Sequence, residues 1–330
     1  MPQQNSFHVA IAQAASVIMD REASVEKACT LIQEAGKHGA QLLVFPEAFL
    51  SGYPRGLHFQ SPIGSRGPGG RQDWVRYYQS AVQIPGESTQ RIAEAVREAQ
   101  VYVALGIVEQ DDYGSRGTLY CTTLYFGPDG RILGKHRKLK PTGTERLIWG
   151  EGDGSTLPAI QTPLGRLGGL ICWENYMPLA RMHLYTKGVT LYVAPTADQR
   201  ESWQATIRHI ACEGRCFVLS ANQYVTKQMY PTDLACYHEL EGQPEVMCRG
   251  GSAIIDPFGE YVAGPLYDQE GMLYATLDMQ QIAQGHFDFD VTGHYHRPDV
   301  FTLLVNERLQ RPQPGTDDEH QSLSSGDTSM

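Results

Sequence analysis

Residues 7–45 read FHVAIAQAASVIMDREASVEKACTLIQEAGKHGAQLLVF. Phe7 to Gln13 is an apolar run of strand length. Val25, Ala28, Cys29, Leu31, Ile32 and Ala35 then recur at helical spacing behind Ser24, which suits a helix cap. Gly39 ends that helix, and Gln41 to Phe45 is a second buried strand stopped by Pro46. Two apolar strands joined by an amphipathic helix form a parallel pair with a crossover, the start of an α/β fold.

The same grammar continues outward. Ser61 to Gly70 is rich in Gly and Pro and reads as a loop, with a helix from Gln72 to about Val82 after it. Glu87 to Gln100 reads as a helix and Val101 to Val108 as a strand buried on both faces. Tyr120 to Phe126 and Arg131 to Gly134 flank the turn Gly127-Pro128-Asp129-Gly130, a hairpin signal. Leu167 to Cys172, Leu191 to Ala194 and Phe217 to Asn222 read as strands. A helix is expected to start near Pro178, and another to span Gln204 to Gly214. Ser252 to Asp256 and Glu260 to Val262 flank a second hairpin turn, and Leu273 to Leu277 closes the series. Alternating strands and helices with two hairpins predict an α/β sandwich with two mixed β-sheets. One domain over 1–307 is expected, with a disordered tail over 308–330, where aromatic residues vanish and Pro, Gly, Ser, Asp and Gln dominate.

The 330 residues carry a formal net charge of −10, with 41% hydrophobic and 19% charged residues. That composition fits a globular protein, and the lack of a basic stripe argues against nucleic-acid binding. The seven cysteines are odd in number and follow no secretory signal, which suggests a reducing, cytoplasmic setting rather than a disulfide framework. No apolar run reaches bilayer length, so no membrane association is expected. Gly64, Gly67, Gly69 and Gly70 lack the Gly-Lys-Ser/Thr of a phosphate loop. His294 and His296, spaced i, i+2, have no third ligand nearby in sequence to make a metal site.

Three places could carry chemistry. Cys172 closes an apolar strand just before a helix, where α/β folds present side chains to a crevice and helix amides favour a thiolate; most cysteines so placed are plain core residues. Glu47 follows Pro46 at the end of another strand, where partial burial would raise its pKa and make it a general base; alone it would more often be a cap or surface residue. Lys135, Lys138 and Lys140 lie in Lys135-His136-Arg137-Lys138-Leu139-Lys140-Pro141-Thr142. One of them could turn inward to stabilise negative charge, and alternation does not choose among the three.

Together, Glu in PEAF, Lys in HRKLKPT and Cys in GLICWEN, in that order, resemble the carbon–nitrogen hydrolase (nitrilase) superfamily from about Phe7 to Asn306. Cys-Trp-Glu at 172–174 looks like true nitrilases. SGYPRG (51–56), GEGDGST (150–156), APTAD (194–198), GHYHRPD (293–299) and ICWENYMPLAR look especially like plant-type nitrilases and their bacterial relatives. The resemblance implies an α-β-β-α sandwich that forms four-layer assemblies. It implies hydrolysis of an organic nitrile to acid and ammonia, with Cys172 as nucleophile, Glu47 as general base, Lys138 as catalytic lysine and Glu145 as a second glutamate beside it. Tyr53, Trp173 and Trp203 would line the substrate pocket. No metal or organic cofactor is implied, and self-association into dimers or larger spirals is. Lys140 has no assigned role, and His296 departs from relatives that often have a small residue there. The rivals are an amidase or N-carbamoyl hydrolase on the same scaffold, a nitrilase that releases much amide, a papain-like thiol protease (which would need a catalytic histidine), and a catalytically silent binding scaffold.

Overall fold

A computed structural model describes residues 6–111 and 117–310. In chain order its strands and helices are β1 (Ser6–Gln13), α1 (Arg21–Lys37), β2 (Leu42–Val44), α2 (Pro68–Ser80), α3 (Glu87–Ala99), β3 (Tyr102–Gln110), β4 (Leu119–Phe126), β5 (Ile132–Arg137), β6 (Ile160–Thr162), β7 (Gly165–Gly169), α4 (Pro178–Thr186), β8 (Leu191–Val193), α5 (Glu201–Gly214), β9 (Phe217–Ser220), β10 (Tyr224–Thr226), β11 (Val246–Ile255), β12 (Tyr261–Tyr267), β13 (Gly271–Asp278) and α6 (Gln280–Asp288). One sheet runs β13-β1-β2-β3-β4-β5; the other runs β10-β11-β9-β8-β7-β6, with β12 paired to β11. Both are mixed. β1, β2 and β3 are mutually parallel, as are β7, β8 and β9, and antiparallel strands flank each trio.

Side-chain alternation explains the layering. In β1, Val9 and Ile11 face the second sheet and meet Leu191, Val193, Phe217 and Leu219. Ala10 and Ala12 face the other way, against Val25, Ala28 and Ile32 of α1 and Ile92 and Val96 of α3. On the far side, Leu184 of α4 and Trp203, Ile207 and Ile210 of α5 cover Tyr192, Val218 and Ile255. The result is the α-β-β-α sandwich with two mixed sheets that was expected.

Several local expectations are corrected. Asp20, not Ser24, caps α1: its carboxylate accepts from Ala23 N at 3.0 Å, and a carboxylate also complements the positive end of the helix dipole. The Ser24 hydroxyl instead ties back to Val17, at 3.0 Å to its carbonyl and 3.1 Å from its amide. Helix α2 begins at Pro68, inside the stretch read as a loop, because proline at the first helical position loses no hydrogen bond there. Helix α6 and the three-residue strands β6 and β10 were missed; elements that short carry little periodicity. Of the tail read as disordered, residues 311–330 lie outside the described residues. Among the described residues no helix is long and apolar enough to cross a membrane.

Candidate active site

Glu47, Lys138 and Cys172 leave three different strands at the same end of the sandwich. After β2 the chain leaves the sheet at Pro46–Glu47 and rejoins it where Leu50 N bonds Gly106 O at 3.1 Å. The excursion lies against Gly106 of β3, where an added Cβ would sit 2.7 Å from the Glu47 Cα, so the turn needs a glycine beneath it. Gln223 Nε2 holds the Glu47 carbonyl at 2.8 Å. Lys138 follows β5 directly; its amide donates to Cys121 O and its carbonyl accepts from Gly152 N, both at 2.8 Å. On β5 the side chains alternate. His136 and Lys138 are fully buried, whereas Lys135 and Arg137 keep part of their surface on the other face.

Cys172 does not end a strand, as was expected. Strand β7 stops at Gly169, and Cys172 opens a short 3₁₀ turn, Cys172–Tyr176. Its φ is +52°, a left-handed conformation that costs an L-residue about 1–2 kcal/mol. Several bonds hold the turn against that cost. Cys172 N donates to Pro195 O at 2.8 Å. Asn175 Nδ2 donates to the carbonyls of Leu170 and Cys172, each at 2.9 Å. Glu174 accepts from Ile171 N at 2.7 Å. A strained backbone fixed from several sides aims one side chain in one direction.

The side chains converge. Lys138 Nζ lies 3.2 Å from Glu47 Oε2 and 2.8 Å from Glu145 Oε2. Glu145 also accepts from the Tyr53 hydroxyl at 2.7 Å and from Thr142 N at 2.6 Å. The Cys121 thiol donates to Glu47 Oε2 at 3.7 Å, and the Thr196 hydroxyl donates to Cys172 Sγ at 3.1 Å. Glu47 Oε1 is buried with no hydrogen-bond partner among the described residues.

Two acids share one ammonium, and the electrostatics follow. Burial raises the Glu47 pKa; Lys138 opposes the rise and Glu145 adds to it. Burial also raises the Cys172 thiol, and the Glu47 charge raises it further against the pull of Lys138, so the resting group is the thiol. Burial alone would lower Lys138, but the carboxylates of Glu47 and Glu145 outweigh it and keep the lysine an ammonium. Such a cluster holds a protonated sulfur, a base of raised pKa beside it and a fixed positive charge, the parts of covalent thiol catalysis.

Beside the cluster opens a cleft of about 340 Å³ lined by Tyr53, Arg55, His58, Thr144, Glu145 and Gln243, among others. Tyr53 and Glu145 belong to both. Trp173 follows Cys172 in sequence but does not line this cleft: Nε1 donates to Asp198 Oδ2 at 2.8 Å, Arg200 stacks on the ring at 4.7 Å, and 39% of the residue is exposed. Trp203 is buried in the core beneath α5, with Nε1 on Ser220 Oγ at 2.9 Å, and the structure does not bring it to the cleft. Sequence reasoning did not single out Thr196, Cys121, Gln223, Glu174 or Asn175. Thr196 was within reach, because it lies inside the APTAD block. His294 and His296 are exposed, and among the described residues no three His, Cys, Asp or Glu side chains are grouped to hold a metal ion.

Fold and cluster together define the class, an α-β-β-α hydrolase with a buried thiol beside an acid and a lysine. The carbon–nitrogen hydrolase family model matches residues 8–287, and the chain belongs to that family. It is 54% identical to an aliphatic nitrilase of Sinorhizobium fredii over 91% of this chain and 96% of that one. It is 49% identical to a bifunctional nitrilase/nitrile hydratase of Lupinus angustifolius over 92% and 86%. A solved carbon–nitrogen hydrolase from Helicobacter pylori shares the fold, with a TM-score of 0.70 at 20% identity over 91% of this chain and 98% of that one.

Proposed function

We propose that the protein hydrolyses a small organic nitrile to the carboxylic acid and ammonia through a covalent bond to Cys172. The observation that carries the reading is the Lys138 ammonium held between Glu47 and Glu145 beside the Cys172 thiol. Glu47 takes the thiol proton, and the sulfur adds to the nitrile carbon. The nitrogen gains that proton, giving a thioimidate whose developing charge Lys138 stabilises, worth about 3 kcal/mol for one well-placed donor. Water activated by Glu47 adds to the carbon. Loss of ammonia leaves a thioester, and a second water releases the acid and restores the thiol. Glu145 holds Lys138 in place.

If the tetrahedral adduct expels sulfur instead of ammonia, the amide leaves. Similarity to a bifunctional nitrilase/nitrile hydratase favours some amide as a by-product. The small cleft, and an Arg55 with no carboxylate in ion-pair contact among the described residues, favour compact nitriles carrying an acceptor or anionic group, such as β-cyanoalanine. All seven cysteines are free, which supports a reducing, cytoplasmic setting. Self-association is supported by the apolar patch of Trp173, Tyr176, Met177 and Leu179, each at least 39% exposed.

Ammonia release across a nitrile panel, each compound paired with its amide, tests the reading. Nitrile turnover by wild type with none by Cys172→Ala is expected. Efficient amide hydrolysis without nitrile turnover would reject it in favour of an amidase.

A further inference from the structure

Glu174 is 1% exposed and its carboxylate is fully used. It accepts from Ile171 N at 2.7 Å and from Leu139 N at 2.5 Å. Ile171 immediately precedes Cys172, and Leu139 immediately follows Lys138. One carboxylate therefore links the backbone of the nucleophile turn to the backbone of the lysine segment.

The third partner is His136, fully buried, whose Nε2 lies 3.0 Å from Glu174 Oε2 and 3.2 Å from Oε1. The other ring nitrogen, Nδ1, lies 3.2 Å from Thr156 O. A carbonyl only accepts, so Nδ1 must carry hydrogen. The Nε2–carboxylate contact then needs a hydrogen of its own, on nitrogen or on oxygen. The hydrogen-bond pattern thus requires one proton more than a neutral imidazole beside a carboxylate would hold. The phenols of Tyr125 and Tyr192 and the thiol of Cys121 also lie close enough to feel the Glu174 charge.

We propose that Glu174 and His136 share this buried proton and act as one positioning unit that fixes the distance between Lys138 and Cys172. Neither touches substrate in this reading. A loosened link leaves the cleft lining alone but lets the ammonium drift from the sulfur, so it slows the chemistry rather than substrate binding. The proposal rests on Cys172 being the nucleophile and Lys138 its charged neighbour.

The test compares Glu174→Gln, His136→Gln and the double variant with wild type, in the full-length protein. Each kcat is referred to active sites counted by thiol labelling. Both single variants are expected to lose about 100-fold in kcat with KM changed less than about threefold. The double variant should lose little more than either single one, since the two act together. Imidazole nitrogen resonances should show both His136 nitrogens bearing hydrogen, or a carboxyl proton bonded to Nε2, in wild type and not in Glu174→Gln. If Glu174→Gln does not fold, His136→Gln still decides the matter, because it leaves both backbone bonds of Glu174 in place. Wild-type kcat per active site in the folded variants, or losses that multiply in the double variant, would overturn the proposal. Activity retained by Cys172→Ala would instead overturn the reading on which it rests, and the proposal with it.

Discussion

Two buried charge clusters sit on opposite faces of one hairpin, one residue apart, and differ in how many cations their central acid holds. On one face a single ammonium, Lys138, serves two acids, Glu47 and Glu145. On the other, Glu109 alone holds two cations, Arg137 at 2.6 Å and Lys135 at 2.5 Å, with the Thr122 hydroxyl at 2.8 Å, and Arg137 also reaches Asp111 at 3.2 Å. Burial raises both Glu47 and Glu109. For Glu109 the bonds and charges of Arg137 and Lys135 more than cancel the rise and hold it below the ordinary carboxylate range. For Glu47 the shared lysine does not, and the pKa stays raised. Burial alone does not make an acid reactive; the ratio of partners does. An acid with cations to spare is a clamp, and an acid competing for one cation keeps an affinity for a proton.

The comparison can be broken by replacing one acid at a time. Glu47→Gln should lower kcat by about 10³-fold, since a lost general base costs within 10²–10⁴. Steady-state nitrile hydrolysis measures it, and a loss under tenfold would deny Glu47 its special place. Lys138→Met should cost about 10²–10³-fold in kcat, as for loss of a transition-state donor, with Cys172 still present for labelling. Glu109→Gln should act on stability instead. It strands Lys135, leaves Arg137 with Asp111 alone, and should cost about 2 kcal/mol, a Tm lower by several degrees, with activity within about threefold of wild type. A large activity loss with an unchanged Tm would merge the two clusters into one.

The smallest effect is the sign of the pH dependence. Glu109 has a depressed folded pKa, so its contribution is complete above the ordinary carboxylate pKa and is lost as pH falls through the lower, folded value. The Tm gap between wild type and Glu109→Gln should therefore close in acid. Glu47 has a raised folded pKa, so wild type should be most favoured over Glu47→Gln in acid, losing ground as pH rises through the ordinary value to the folded one. Thermal melts of both pairs from acid to neutral pH check the opposite trends.

Much of this was legible in the sequence because strands announce themselves by apolar runs. Glu47 and Cys172 could be located from Pro46 and from the apolar run read as Leu167 to Cys172. Choosing Lys138 from the residues alone was not possible. Lys138 and Lys140 share parity, and only the end of β5 at Arg137, which brings Lys138 N onto Cys121 O, separates the buried lysine from the half-exposed Lys140. The positive φ of Cys172 left no mark either, since the local Asn175 and Glu174 bonds hold it only together with the bond to Pro195 from a distant segment. Trp173 and Trp203 show the limit for large aromatics. Their sizes suit a pocket wall or a core equally, and direction is decided by partners such as Asp198 and Ser220.

Gly106 offers a use for the crowding beneath Glu47. A single methyl placed there has no cavity to enter and can only press on the neighbouring backbone. It is the smallest available wedge against the carboxylate, and it alters no chemical group in the cluster. Alanine at that position would ask how far the Glu47 carboxylate can be nudged before nitrile turnover falls, a question that deleting the carboxylate cannot put.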